Sequence, residues 1–280
     1  MTYVLFDIGG TKTRVAVSND LNKFDKNTSF KTPENFEYGM KKIFESIAEI
    51  TNEKPTAIAG GIRGRLTEGK TGIENDAVLT HWKGKSIVEA FEKKYKVPVY
   101  LENDAAIAGL GEAVYGGGQG MDIVAYHTIS TGVGGVKIEN GVIDMATVGF
   151  EPGHQILDVD RTILGDEISP TLENLVSGTA VENRLGIKPY DIPQTDLLWK
   201  ELAGYLAQGL RNTVMYWSPE VIVLGGSMII GDPRIEIADI RRETVEVLDG
   251  FVECPFITEA KLGDEAGLYG AMAILKKHNE

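Results

Sequence analysis

Cysteine, histidine and positive charge are all scarce in this chain. The single cysteine, Cys254, has no partner for a disulfide within the chain. The four histidines, His81, His127, His154 and His278, lie scattered without zinc-ligand spacing, so a structural metal site is not expected. No apolar run approaches the ~20 residues that cross a bilayer. A basic stretch followed by an apolar signal segment is also missing, because a strand pattern begins directly at Tyr3; a cytoplasmic protein is expected. The 28 basic residues are outnumbered by 41 acidic ones, giving a formal charge of −13 spread along the chain. That balance favours solubility and disfavours nucleic-acid backbones and other polyanions.

What is present is a soluble globular composition, 42% apolar and 25% charged over 280 residues, enough for one large domain or two modest ones. The segment Asp7-Ile8-Gly9-Gly10-Thr11-Lys12-Thr13 lies between the apolar run Tyr3 to Phe6 and the alternating run Arg14 to Val17. Two glycines there let backbone N–H groups approach a phosphate, Thr11, Lys12 and Thr13 add donors, and Asp7 is placed to hold Mg2+ through water. An ordinary Gly-Gly hairpin turn would have the same spelling.

Further along, a third strand over Phe24 to Lys31 leads into an amphipathic helix carrying Phe36, Met40, Ile43, Phe44, Ile47 and Ile50. A short strand Ala57 to Ile62, a loop-rich stretch to Lys85, and a capping pattern at Ser86-Ile87-Val88-Glu89 follow. Val97 to Leu101 reads as a strand running into Glu102-Asn103-Asp104, with a helix from about Ala105 to Val114. Gly116-Gly117-Gly118-Gln119-Gly120 then breaks regular structure, as a link between lobes would.

Beyond that link the opening repeats. Ile123 to Ile129 is apolar, Ser130-Thr131-Gly132-Val133-Gly134-Gly135 is a second glycine-hydroxyl turn, and Val136 to Ile138 returns before the hairpin signal Asn140-Gly141. A long helix carries Leu198, Leu202, Leu206, Leu210, Val214 and Trp217, and the strand Val221 to Leu224 ends at Gly225-Gly226, where a nucleotide would fit. Gly267 to Ala273 reads as a small-residue helix able to pack across a cleft. Gly64-Arg65-Leu66-Thr67-Glu68-Gly69-Lys70-Thr71 matches the P-loop pattern, but no helix pattern opens at Lys70-Thr71, so a solvated loop is the expectation.

Taken together, Asp7 to Thr13, Glu102-Asn103-Asp104-Ala105-Ala106, Thr131 to Gly135, Glu151-Pro152-Gly153-His154, Leu172 to Ala180, Gly225-Gly226 and Gly263-Asp264-Glu265-Ala266-Gly267 resemble the ROK family of sugar kinases and sugar-responsive repressors over essentially the whole chain. The resemblance implies an α/β, two-lobed actin-like (ribonuclease H-like) fold with a central cleft. Its expected N-terminal lobe is residues 1–115, completed by a C-terminal helix at about 265–280, and its second lobe is 116–264. It implies an ATP- and Mg2+-dependent kinase acting on the 6-hydroxyl of glucose or a related hexose, N-acetylated ones included, with homodimers common among similar proteins.

By the same resemblance, Asp104 is the base and Asn103, Glu151, His154 and Glu173 join it as sugar ligands, with Gly64 near the sugar. Asp7, Gly9, Gly10, Thr11, Lys12, Thr13, Thr131, Gly132, Gly225 and Gly226 would serve the nucleotide. Asp104 and the turns near Thr11 and Thr131 are expected to converge on one gap. ROK kinases often carry a zinc-binding cysteine cluster, yet residues 158–171 contain no cysteine, so no zinc is expected and Ile163-Leu164-Gly165-Asp166 must be held by packing and hydrogen bonds. Arg63-Gly64 stands where the family commonly has Pro-Gly, and Val78-Leu79-Thr80-His81-Trp82 where it has Asn-Leu before Trp. Alternatives are a polyphosphate-dependent glucokinase, a sugar-binding ROK protein without kinase activity, a sugar-sensing repressor, for which a strand starting at residue 3 leaves no room for a helix-turn-helix, and a P-loop hydrolase.

Overall fold

In a computed structural model that describes residues 1–147 and 149–279, the chain forms two compact units, Met1–Val114 with the segment from Asp264 onward, and Tyr115–Gly263. The first unit opens with β1 (Tyr3–Ile8), β2 (Lys12–Ser18) and β3 (Lys26–Lys31), followed by α1 (Phe36–Ile50) and β4 (Ala57–Ile62). A small hairpin of β5 (Arg65–Leu66) and β6 (Ile73–Asn75) precedes α2 (Ile87–Tyr95), β7 (Val99–Asn103) and α3 (Asp104–Tyr115). The main sheet runs β3-β2-β1-β4-β7, antiparallel at the first two junctions and parallel at the next two.

Sequence dictates these elements locally. β1 is central, and every residue of it is buried except Asp7 near its C-terminal end, which is why the strand reads as a continuous apolar run. Asn35 caps α1 by accepting the N–H of Tyr38, and Ser86 caps α2 by accepting that of Glu89. Phe6, Ile43, Ile47, Trp82 and Phe91 fill the core between sheet and helices.

Lys70 does not open a helix. It sits in the left-handed region at φ 52° inside the β5–β6 hairpin, its ammonium paired with the Glu102 carboxylate, and no α-helix starts between it and Ile87. The P-loop spelling is therefore a hairpin.

The second unit holds β8 (Ile123–Ile129), β9 (Val133–Glu139) and β10 (Val142–Ile143), then α4 (Leu172–Val176), α5 (Gly178–Leu185) and α6 (Leu198–Trp217). It is completed by β11 (Val221–Gly225), α7 (Ser227–Ile230), α8 (Ile237–Leu248) and β12 (Phe256–Glu259). Its sheet runs β10-β9-β8-β11-β12 with the same sequence of antiparallel and parallel junctions as the first. Leu202, Leu206 and Leu210 of α6 face the core of this unit.

Both glycine turns are tighter than expected. Each leaves three residues outside the strands, Gly9-Gly10-Thr11 and Ser130-Thr131-Gly132, because β1 continues to Ile8 and β9 begins already at Val133. The last helix, α9 (Ala266–Asn279), belongs to the first unit. Its small residues serve close packing there rather than across a cleft: a Cβ on Gly270 would collide with the carbonyl of Ile107, and one on Gly111 of α3 with that of Ala266.

Candidate active site

The first unit gathers two acids. Asp7 lies opposite Arg14 across the β1–β2 hairpin and beside Gly61 on β4, while Asp104 opens α3 directly after β7. Gly61 separates them: a Cβ there would meet Asp7 Oδ1 at 3.7 Å and the Cα of Asp104 at 3.6 Å. Burial, then the neighbouring Asp104 charge, pushes the Asp7 carboxyl up to about 7, with Arg14 opposing and Asp264 adding to the rise. Arg14 Nη1 stands 3.6 Å from Asp7 Oδ2 and also ion-pairs with Asp264, whose Oδ2 is 3.8 Å from Lys12 Nζ.

Burial likewise raises the Asp104 carboxyl, against the pull of the Ala105 N–H and the Arg63 guanidinium. Helix capping is not its main duty. Asn103 Oδ1 accepts the N–H groups of Ala105 at 3.0 Å and Ala106 at 3.2 Å, whereas Asp104 Oδ1 takes only its neighbour's N–H at 2.9 Å. This corrects the expected role of Asn103. Its oxygen is committed to the helix and its Nδ2 donates to the Gly64 carbonyl at 3.1 Å, so one side-chain N–H remains uncommitted rather than the whole amide. Gly64, at φ 102°, holds the carbonyl in place with a backbone other residues rarely adopt.

Thr13 is also corrected. Its hydroxyl is fully buried and donates to Thr32 Oγ1 at 2.9 Å, because Thr32 gives its own proton to the Gly9 carbonyl at 2.7 Å. The pair braces the turn from behind, and the Thr13 hydroxyl is spent on that contact. Gly9 N–H closes the turn onto the Lys12 carbonyl at 3.0 Å; among the described residues the N–H groups of Gly10 and Thr11 have no protein partner. Arg63 reaches over this turn, where a Cβ on Gly10 would meet its Nη1 at 2.9 Å.

In the second unit the named residues surround the start of β9. Glu173, in the first turn of α4, accepts the Val133 N–H on Oε2 at 2.8 Å, and the same oxygen lies 2.6 Å from where Gly132 would carry a Cβ. One carboxylate oxygen is thus tied to the glycine turn, and the other is not. Glu151 and His154 flank a short 3₁₀ turn whose Gly153 presses on the Val133 backbone; both side chains are exposed, with Nδ1 and Oε2 3.6 Å apart. Thr131 is exposed at the tip of its turn. Gly226 sits at φ 87° against the Ile129 carbonyl, and the neighbouring Ser227 hydroxyl meets that of Ser130 at 3.0 Å. Gly225 is different: it is buried in β11 and makes room for the Tyr126 ring.

Three charged residues escaped the sequence reading. Arg14 was recoverable, since closing a hairpin over Gly9 to Thr11 places it opposite Asp7. Arg63 and Asp76 were not: their ion pair, 2.9 Å from Nε to Oδ2, joins the end of β4 to the loop after β6, and pattern alone does not give that loop's path. Asp76 is locked by accepting the N–H groups of Val78 at 2.8 Å and Leu79 at 2.6 Å. Burial alone would raise its carboxyl, but these bonds and Arg63 hold it below the ordinary value.

The sequence profile described as the ROK family matches residues 3–278. A fructokinase of Lactococcus lactis subsp. cremoris is 27% identical over 266 residues, covering 92% of this chain and 89% of the relative. Among solved structures, a ROK hexokinase from Thermus thermophilus superposes with a TM-score of 0.85 at 27% identity, covering the whole of both chains. A ROK family protein from Streptococcus pneumoniae, solved in complex with sucrose, gives 0.83 at 26% identity over 100% of this chain and 99% of the other.

Proposed function

The chain belongs to the ROK family, and on that footing we propose that it is an ATP-dependent hexose kinase, transferring the γ-phosphoryl group to the 6-hydroxyl of fructose, glucose or a related hexose. The observation that carries this reading is Asp104. It stands at a strand–helix junction with the capping duty discharged by Asn103, leaving one carboxylate oxygen to take a proton from a hydroxyl. Burial lifts its proton affinity towards the working range of a general base, and such proton removal contributes ~10²–10⁴ in rate.

The remaining roles are those the family resemblance implies, and they suit in-line transfer, in which placement and charge neutralisation do most of the work. The Gly10 and Thr11 N–H groups, Lys12, and the Thr131–Gly132 turn are assigned to the triphosphate; Glu151, His154, Glu173 and the free Asn103 N–H to sugar hydroxyls. A site built to hydrogen-bond hydroxyls rejects analogues lacking them. The donor set at Asp7 suits Mg2+, which keeps most of its waters and asks for one or two carboxylates beside phosphates; Asp7 would hold it through water, and the ion would neutralise charge on the β- and γ-phosphates. Among the described residues, no three His, Cys, Asp or Glu side chains form a protein-built metal cage, and such a site does not need one.

The test is a coupled ADP-release screen over fructose, glucose, mannose, allose and their N-acetylated amino counterparts, with ATP and separately with polyphosphate. Turnover of a hexose with ATP is expected. Silence on every sugar would refute the kinase reading, and activity only with polyphosphate would replace the donor.

A further inference from the structure

Arg63 is built into the first unit in a way that ion pairing alone does not require. Its backbone N–H donates to the Ile8 carbonyl at 3.1 Å, fixing it at the exit of β1 and β4, and its Nε edge is tied to Asp76, itself locked by two backbone N–H groups. One edge of the guanidinium is therefore anchored, while among the described residues neither Nη group has a hydrogen-bond partner. The uncommitted edge lies over Gly10, whose missing Cβ would fall 2.9 Å from Nη1 and 3.1 Å from Cδ. Any side chain at position 10 would displace it. The same charge reaches Asp104, whose proton affinity it lowers.

We propose that Arg63 is a catalytic residue whose two Nη groups grip the phosphoryl group in transit between the Gly9–Thr11 turn and the hydroxyl held at Asp104. The assignment rests on the kinase reading above. In the step, the bond from the γ-phosphorus to the β–γ bridging oxygen breaks, its electron pair staying on the departing ADP; a new bond forms from the sugar oxygen to phosphorus, and the hydroxyl proton passes to Asp104. Arg63 gains and loses nothing. Its planar fork neutralises charge on the equatorial oxygens, a task a lysine point charge performs less well.

A purely structural Arg63 would only brace the Asp76 loop, so the test must separate the two. Arg63→Ala and Arg63→Lys are compared with wild type for kcat, for sugar and ATP KM, for thermal midpoint, and for binding of AMPPNP and ADP by calorimetry. Expected are a kcat loss of ~10²–10³-fold for Arg63→Ala, as for other removed transition-state donors, with sugar KM little changed. AMPPNP should weaken by about tenfold while ADP does not, and millimolar guanidinium should restore part of the rate. Arg63→Lys should recover only a minor share.

A kcat within about threefold of wild type, or equal weakening of ADP and AMPPNP, overturns the proposal, as does a rate loss that merely follows a lowered midpoint. If Arg63→Ala does not fold, Arg63→Gln, which keeps a donor for Asp76, serves in its place. An inactive Asp104→Asn beside an unimpaired Arg63→Ala removes Arg63 alone and leaves the kinase reading standing. A wild-type protein inactive on every hexose removes both.

Discussion

Gly267 faces the carboxyl group of Asp7 so closely that a Cβ on the glycine would lie 2.8 Å from Asp7 Cγ and 3.1 Å from both oxygens. The second residue of α9 is thus shaped by the first acid of β1, two positions 260 residues apart that meet inside one unit.

Gly267→Ala should therefore push Asp7 off its position beside Gly61. Overpacking of this kind costs ~1–3 kcal/mol, and a displaced Asp7 should also raise the Mg2+ concentration needed for half-maximal activity. Thermal melts and a Mg2+ titration check both; an unchanged Mg2+ requirement would dissociate Asp7 from the metal.

Asp7 also predicts a pH effect. Its carboxyl is raised from 3.8 to about 7 on folding, so the folded state favours the protonated form. That contribution to stability is complete below pH 3.8, declines as pH rises through about 7, and is absent above. Urea midpoints of the metal-free protein between pH 4 and pH 8 should fall relative to those of Asp7→Asn, which lacks the titration. Parallel curves would contradict the burial argument.

Asp104→Asn and Asn103→Ala should separate chemistry from capping. The first is expected to lose ~10²–10⁴ in kcat with its melting temperature nearly intact. The second loses the acceptor for the Ala105 and Ala106 N–H groups, and should cost ~1 kcal/mol of stability. Equal destabilisation by both would mean that Asp104 is a cap after all.

How far the sequence carried these conclusions depends on the range of the interaction. Strand runs such as Tyr3 to Phe6 and Val221 to Leu224, the cap at Ser86, and the positions of the two glycine turns are written in neighbouring residues, so they were legible. The commitment of Thr13 to Thr32, of Asn103 to Gly64 and of Glu173 to Val133 joins residues 19, 39 and 40 positions apart. Residue type alone shows that each can donate or accept, and only the fold shows that the partner is already taken.

The same distinction bears on Lys70. Its spelling suggests a phosphate ligand, but its side chain, more than half exposed, reaches from the hairpin to pair with Glu102 of β7. Lys70→Met should keep most activity and cost ~1–3 kcal/mol of stability, because it leaves the largely buried Glu102 carboxylate without its cation. Loss of nearly all turnover would revive the P-loop reading.

Asp158 answers what holds the cysteine-free loop ahead of Glu173. Its buried carboxylate accepts the N–H groups of Thr162 at 3.1 Å, Ile163 at 3.2 Å and Leu164 at 2.7 Å, while the Arg161 guanidinium ties down the Ile168 carbonyl at 2.9 Å. The loop closes on itself and then on Pro170, whose carbonyl accepts Leu157 N–H at 2.9 Å, directly before the cap of α4 at Thr171. Asp158→Ala would leave three amide donors without their acceptor, a cost of about 2–4 kcal/mol. Because Glu173 sits two residues beyond that cap, sugar KM should rise more than kcat falls, with faster hydrogen exchange at Thr162 to Leu164. Chelators should leave the wild-type loop unaffected, since its ligands are backbone amides; a variant with unchanged exchange and unchanged KM would show that Glu173 is positioned by α4 alone.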